Sequence, residues 1–263
     1  MSKKGLSERD ICTQFITPAL QSSGWNFASQ VREEVTFTAE RIIVRGKLHS
    51  RGTKKRADYL LYFKPNLPIA VIEAKDNNHG LGDGKQQGLS YAETLDLPFV
   101  FSSNGDGFLF HDRTGHAAKT ETSLTLDQFP SPQELWQRYC AWKGLAAPES
   151  RVTVETPYYD DGSGKTPCNY QVNAINRTIE AIARGQDRIL LVMATGTGKT
   201  YTALEILESV RIPLPPKTEM ERIVVKVDEL MVLCDRLKTD LVESRIRQAR
   251  LSATLIESAL QAA

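Results

Sequence analysis

Asp58, Glu73 and Lys75 are the residues whose types and spacing could do chemistry in this chain. They lie in RADYLLYFKPNLPIAVIEAK, two apolar strand-like runs joined by a turn containing Pro65, Asn66 and Pro68. Side chains alternate along a strand, so in the second run Ile69, Val71, Glu73 and Lys75 share one face and Ala70, Ile72 and Ala74 the other. A hairpin turn at 65–68 returns Asp58 toward the strand end that carries Glu73 and Lys75. Two carboxylates and an ammonium group then meet in one place. A hard cation such as Mg²⁺ selects carboxylate oxygens, typically one or two of them plus a substrate phosphate. The metal lowers the pKa of a bound water and neutralises charge on phosphoryl oxygens, while a neighbouring lysine orients the water or stabilises the transition state. The chemistry indicated is phosphodiester hydrolysis. The same residue types also occur as a surface aspartate and a simple Glu–Lys ion pair at a strand end, so their surroundings decide.

Asp58 followed by Glu73-Ala74-Lys75 behind a hydrophobic strand resembles the PD-(D/E)XK nuclease signature, with Ala57 standing where that name has proline. Upstream, Ser7 and Asp10 have the spacing of a capping box. Ile11, Phe15, Ala19 and Leu20 then recur at helical spacing until Gly24, which predicts an amphipathic first helix. Glu8 sits in its first turn, where the helix dipole alone favours a carboxylate. In the nuclease family an acidic residue on the first helix often approaches the metal, so the resemblance makes Glu8 a third metal-ligand candidate beside Asp58 and Glu73. Strands are expected at 31–38, 41–44, 99–102 and 108–111, the last two turned at Asn104-Gly105, with a helix at 82–94. On that helix Gln87 and Tyr91 share a face. A Q-x-x-x-Y helix directly after E-x-K resembles the extra motif of the RecB-like branch of these nucleases, which implies that both residues lie against the active site. Taken together, SERDICTQFITPALQSSGW, EEVTFTAERIIVRGK, RADYLLYFKPNLPIAVIEAKD and SYAETLDLPFVFSSNGDGF resemble the N-terminal nuclease domain of the restriction subunit of type I restriction-modification enzymes. That family cleaves DNA with Mg²⁺ after motor domains have translocated it using ATP. The resemblance implies double-stranded DNA and the methylation and specificity subunits as partners.

The balance of charge, +1 over 263 residues, argues against a uniformly nucleic-acid-coated protein, so any DNA contact must come from local clusters. Arg45, Lys47, Arg51, Lys54, Lys55 and Arg56 form such a cluster just upstream of Asp58, and Lys54, Lys55 and Arg56 are the expected phosphate contacts. Cys12, Cys140, Cys168 and Cys234 are scattered without metal-ligand spacing and read as reduced thiols. The start lacks an apolar signal core and no run approaches membrane-spanning length, so the expectation is a cytoplasmic protein with no membrane contact.

A helix is expected at 132–142, after which glycines and prolines mark a polar connector. Asn169-Tyr170-Gln171 opens a helical segment, followed by the apolar run ILLVM, expected as a buried strand, and by ATGTGKT. Strand, glycine-rich turn and helix is the setting of a phosphate-binding loop. There Thr195, Gly196, Thr197 and Gly198 would cradle phosphates, Lys199 would reach the β- and γ-phosphates and Thr200 would hold Mg²⁺ of a bound ATP. Met193 stands where the strict pattern has glycine, and Gln171 resembles the adenine-reading glutamine of superfamily 2 helicases. No second acidic motif or arginine finger follows, and the segment reads as a stub. Beyond 211, Ile223, Val227, Leu230, Cys234, Leu237 and Leu241 form a heptad stripe, succeeded after Ser244 by Ile246, Ala249, Ala253, Ile256 and Leu260 on a shifted face. IPLPPKTEMERIVVKVDELMVLCDRL resembles the C-terminal conserved region of the type I specificity subunit, which packs as a coiled coil. The economical reading is a chimera joined near 204–211. The expected fold is α/β: a PD-(D/E)XK restriction-endonuclease-like domain (1–143), a linker (144–168), an incomplete P-loop, RecA-like stub (169–209) and a coiled-coil-type helix (210–263). Two functions follow: a Mg²⁺-dependent DNA endonuclease with translocation lost, or a non-catalytic adaptor that docks on methylation or specificity subunits through its tail.

Overall fold

The computed structural model describes residues 3–38, 43–45, 48–50, 54–158, 166–209 and 216–261. At the N-terminus Ser7 caps α1 (Glu8–Ile11): its Oγ accepts from the Asp10 amide at 3.2 Å while its own amide donates to Asp10 Oδ2 at 3.0 Å. The helical path continues through a π-helical segment, Cys12–Ile16, into α2 (Thr17–Ser22), so the expected single helix carries a mid-course widening. Strands β1 (Val31–Thr38), β2 (Ile43–Arg45), β3 (Leu48–Ser50), β4 (Lys54–Lys64) and β5 (Leu67–Ala74) follow, then α3 (Lys85–Leu95), β6 (Phe99–Ser103), β7 (Phe108–Asp112), β8 (Glu121–Leu124) and α4 (Pro132–Lys143). One sheet has the order β1-β4-β5-β6-β7-β8, and β2 and β3 pair apart from it. The residues expected at 41–42 lie outside those described, as do Lys47 and Arg51.

The hairpin of β4 and β5 forms because Asn66 takes a left-handed backbone, φ 65°, between two prolines. The pairing sets Tyr59 opposite Ile72 and Leu60 opposite Val71, which places Asp58 beside Glu73. From β5 the chain crosses through α3 to β6, the parallel neighbour of β5, while the other pairs of this sheet are antiparallel. The sheet is covered on both faces. Val71, Leu60 and Val100 pack beneath α3 with Tyr91 and Leu95, while Ile72, Phe101 and Phe108 join Ile11, Ile16, Leu20 and Trp136 on the other side.

Two features differ from the sequence reading. The connector expected over 144–168 contains α5 (Pro148–Glu155), whose Val154 is buried, and α5 is followed by α6 (Asn169–Ala183), whose Ile175 and Ile179 enter the same core as β5 and β6. Packing therefore does not break at 143. Glu180 of α6 accepts from the Tyr139 hydroxyl and pairs with Lys143 at 2.8 Å, a buried polar link to α4. The other concerns ILLVM, which forms no strand. Leu190 is 88% and Val192 83% exposed, so the expected burial is overturned. A parallel strand needs neighbours on both sides, and among the described residues no further strand follows to supply them. After it comes α7 (Lys199–Ser209). Residues 1–211 form one compact unit and 212–263 another, the latter built on α8 (Lys217–Gln261), a helix of 45 residues.

Candidate active site

The C-terminal end of β5 delivers Glu73 and Lys75 toward one point. Asp58 reaches it from β4, its Oδ2 accepting from the Ala74 amide at 2.8 Å. Glu73 is 1% exposed, and its Oε1 has no hydrogen-bond partner among the described residues. Its carboxyl lies beside that of Asp58, which the β4–β5 pairing sets next to it. Burial, and then the charge of Asp58, push Glu73 up to about 9, with Lys75 opposing. Burial also raises Asp58, against the stabilising Ala74 amide. Both shifts have the same sense: a low-dielectric recess disfavours two bare carboxylates side by side.

Lys75 Nζ lies 3.4 Å from Glu8 Oε1 and 3.3 Å from Gln87 Oε1, and Gln87 Nε2 donates to the Tyr91 hydroxyl at 2.8 Å. Asp58, Glu73, Lys75, Gln87 and Tyr91 are therefore assembled as one constellation. Glu8 joins it through Lys75. Among the described residues no three His, Cys, Asp or Glu side chains converge at metal-ligand spacing, so the acids meeting directly are Asp58 and Glu73.

Close approach of α3 to the sheet makes this assembly. A Cβ at Gly88 would stand 2.7 Å from Val100 Cγ1 and 3.5 Å from Glu73 Cγ, and one at Gly84 would stand 2.9 Å from Ser102 Oγ and 3.1 Å from Glu73 Cβ. Ser102, opposite Glu73 in the parallel ladder, accepts from the Gly84 amide at 3.1 Å and anchors the start of α3. Sequence reasoning did not single out Gly84, Gly88 and Ser102. The signal lay in the two glycines four apart on one helix face. A second irregularity lies at Glu34, which has φ 51° within β1 opposite Asp58. Beneath α3 the buried positions of β4 run Ala57 and then Leu60, three apart instead of two, so the alternation skips a residue at Asp58.

The basic run divides. Lys54 and Arg56 are exposed, whereas Lys55 donates to Ser90 Oγ at 2.6 Å and sits 5.6 Å over the Tyr91 ring. Arg56 and Arg9 both approach Glu34, at 3.9 and 3.1 Å. A cleft of about 750 Å³ opens here, lined by Glu8, Arg9, Glu33, Glu34, Arg56 and Asp58 among others.

In the nucleotide-like segment Gly196 and Gly198 have φ 82° and 76°, the left-handed backbone such a loop needs. Lys199 Nζ folds back to the Ala194 and Met193 carbonyls at 3.0 and 3.4 Å. Gln171 Oε1 caps its own helix by accepting from the Cys168 amide at 2.8 Å, and Nε2 donates to the Thr197 carbonyl at 3.3 Å. Thr195 and Thr200 are exposed.

Residues 5–119 match the family described as type I restriction enzyme R protein N terminus, and residues 164–247 match the family described as type III restriction enzyme, res subunit. The second match runs through the expected join at 204–211 and into α8. The chain is 53% identical over 208 residues to the EcoAI endonuclease subunit of a type I restriction enzyme from Escherichia coli, covering 79% of this chain and 26% of that protein. It is 26% identical over 204 residues to the corresponding EcoKI subunit of Escherichia coli strain K12, covering 59% of this chain and 17% of that one. A solved fragment of an HsdR subunit of a type I restriction enzyme from Vibrio vulnificus YJ016 superposes with a TM-score of 0.66 at 41% identity, over 78% of this chain and 38% of that one. The chain spans about a quarter or less of the length of these curated relatives. Among the described residues no helix is long and apolar enough to cross a membrane. These matches make residues 5–119 similar to the N-terminal region of type I restriction enzyme R (HsdR) subunits, and residues 164–247 similar to the res subunit family.

Proposed function

We propose that this chain is a Mg²⁺-dependent DNA endonuclease of the PD-(D/E)XK type, working without ATP-driven translocation. The observation that carries this reading is the convergence of Asp58, Glu73 and Lys75, with Glu73 Oε1 buried and without a partner. An orphaned buried carboxylate oxygen beside a second carboxylate has the chemistry a hard cation satisfies, and Asp58 and Glu73 would hold it. When bound, Mg²⁺ supplies charge neutralisation at the scissile phosphate and a more acidic water. Lys75, with a side chain 19% exposed, is positioned by Glu8 and Gln87 to present its ammonium group to water or to a phosphoryl oxygen. Tyr91 steadies Gln87, and burial keeps its phenol neutral. Double-stranded DNA is the substrate, approached by the exposed Lys54 and Arg56, with Lys55 bracing α3. The test is nicking of supercoiled plasmid with Mg²⁺ and no ATP. Wild type is expected to nick, Lys75→Ala to lose at least about a hundredfold in rate while still binding DNA, and Asp58→Ala to weaken metal binding as well. A folded wild-type protein that nicks nothing with Mg²⁺ or Mn²⁺ sinks the reading.

The tail favours a second reading, in which the chain is an adaptor. From IPLPP onward its sequence resembles the specificity subunit's C-terminal region, and the match to the EcoAI subunit covers 79% of the chain, not all of it. The exposed seam of α8 would then dock on methylation or specificity subunits, and the head would not cleave.

A further inference from the structure

The seam of α8 carries information about its own partner. Ile223, Val227, Leu230, Leu237 and Leu241 are each between 46% and 59% exposed, and Cys234 between them is a free, exposed thiol. These six positions alternate by four and three, so the stripe fills the two inward positions of three successive heptads. Laid antiparallel on a copy of itself, it meets in mixed layers: Ile223 against Leu241, Val227 against Leu237 and Leu230 against Cys234.

Charge selects the direction. Lys217 to Asp235 carries five acidic and three basic residues, while Arg236 to Arg250 carries five basic and two acidic. A parallel pair would stack like on like along its length, and an antiparallel pair opposes the halves. The pattern recurs at the positions flanking the seam. Along one edge stand Glu219, Lys226, Leu233, Asp240 and Arg247, seven apart. In antiparallel pairs this edge faces its own copy, which sets Glu219 by Arg247, Lys226 by Asp240 and Leu233 by Leu233. The opposite edge brings Met231 onto Met231, with a single like-charged contact, Lys217 by Arg245, at the end. In a parallel pair the two edges face each other, and of these charges only Asp240 finds an opposite, Arg245. In the lone helix Lys226 and Arg247 reach Glu229 and Glu243 at 2.8 and 2.9 Å, with the two basic side chains 70% and 76% exposed, so these are weak pairs that rearrangement costs little.

We propose that α8 pairs antiparallel with α8 of a second copy of this chain, through the seam Ile223–Leu241, making the protein a homodimer. The inference uses residues 212–263 and stands apart from the nuclease reading. It assigns the seam to a second copy, where the adaptor reading gives it to another subunit.

Cys234 and the flanking charges test it in the full chain, with Cys168→Ser removing the other exposed thiol. Sedimentation velocity is expected to give a dimer. Mild oxidation is expected to leave that parent uncrosslinked and to crosslink it once Leu230→Cys is added, through Cys234 of the partner; Leu230→Cys with Cys234→Ser is expected to stay uncrosslinked. Lys226→Glu opposes two acids at two symmetry-related sites and should raise the dissociation constant about tenfold. Lys226→Glu with Asp240→Lys should restore it without altering helix content by circular dichroism. A monomer at all accessible concentrations, crosslinking of the parent through Cys234 to Cys234, or a seam that forms no homodimer yet binds an isolated specificity subunit would each overturn the proposal.

Discussion

At Gly88 the distance between a working site and a disturbed one is a single methyl group. A Cβ there would lie 2.7 Å from Val100 Cγ1, a separation that side chains do not sustain, and the fully buried Val100 has little room to move. Gly88→Ala should therefore push α3 off the sheet, costing roughly 1–3 kcal/mol of stability and carrying Gln87 away from Lys75. Chemical denaturation and the plasmid assay measure the two effects together. Unchanged stability would mean that α3 is not held as close as Val100 implies. Ser102 shows why this part of the site was hidden in the sequence. It faces Glu73 through the parallel β5–β6 pairing, set by a crossover of more than twenty residues, and no local pattern marks it. Asp58, Glu73, Lys75, Gln87 and Tyr91 were legible because a hairpin and one helical turn relate most of them, and both are local geometries.

Between elements, Lys64 at the end of β4 ties the sheet to α5 by donating to the Thr156 carbonyl at 2.5 Å. Burial pulls this lysine down to about 8 from an ordinary 10.5, with Glu155 opposing. A lysine whose folded pKa lies below its unfolded one costs stability wherever both states are charged, below about 8 here. The cost fades as pH rises from there toward 10.5. Measured against Lys64→Met, wild type should gain by on the order of 1 kcal/mol between about pH 7 and pH 10, after discounting for solvent screening. Urea midpoints of the two proteins at both pH values check the sign, and a difference that is flat or moves the other way refutes it. The element itself, α5, was missed because eight residues with one buried valine give a weak helical pattern. ILLVM misled in the opposite sense. An apolar run reports a need for burial and says nothing of whether the partner strands are present, whereas capping at Ser7 and the turn at Asn104-Gly105 were readable because each is complete within a few residues.

For the whole molecule, the nucleotide segment is the part whose family resemblance and chemistry diverge. Lys199 is folded onto carbonyls of its own loop and Gln171 onto its own helix start, and no second acidic motif follows in the sequence as far as residue 209. Phosphate release in the presence of saturating DNA should stay at background, since an arginine finger alone contributes about 10³ to 10⁵ in rate. Activity that Lys199→Ala abolishes would show that a partner completes the site. The link from Glu180 to Tyr139 and Lys143 bears on where such a gene can be cut and still yield a folded product. Because α6 lends Ile175 and Ile179 to the core that holds β5 and β6, a truncation before residue 169 strips a wall from that core and leaves Tyr139 and Lys143 without Glu180. A truncation after 183 keeps these contacts and loses the smaller contribution of α7, whose Ile206 packs against the same core. Truncations from downstream are thus expected to cost little until they reach α7 and far more once they enter α6, a helix that belongs to the core of the head although it lies beyond residue 143 in the sequence.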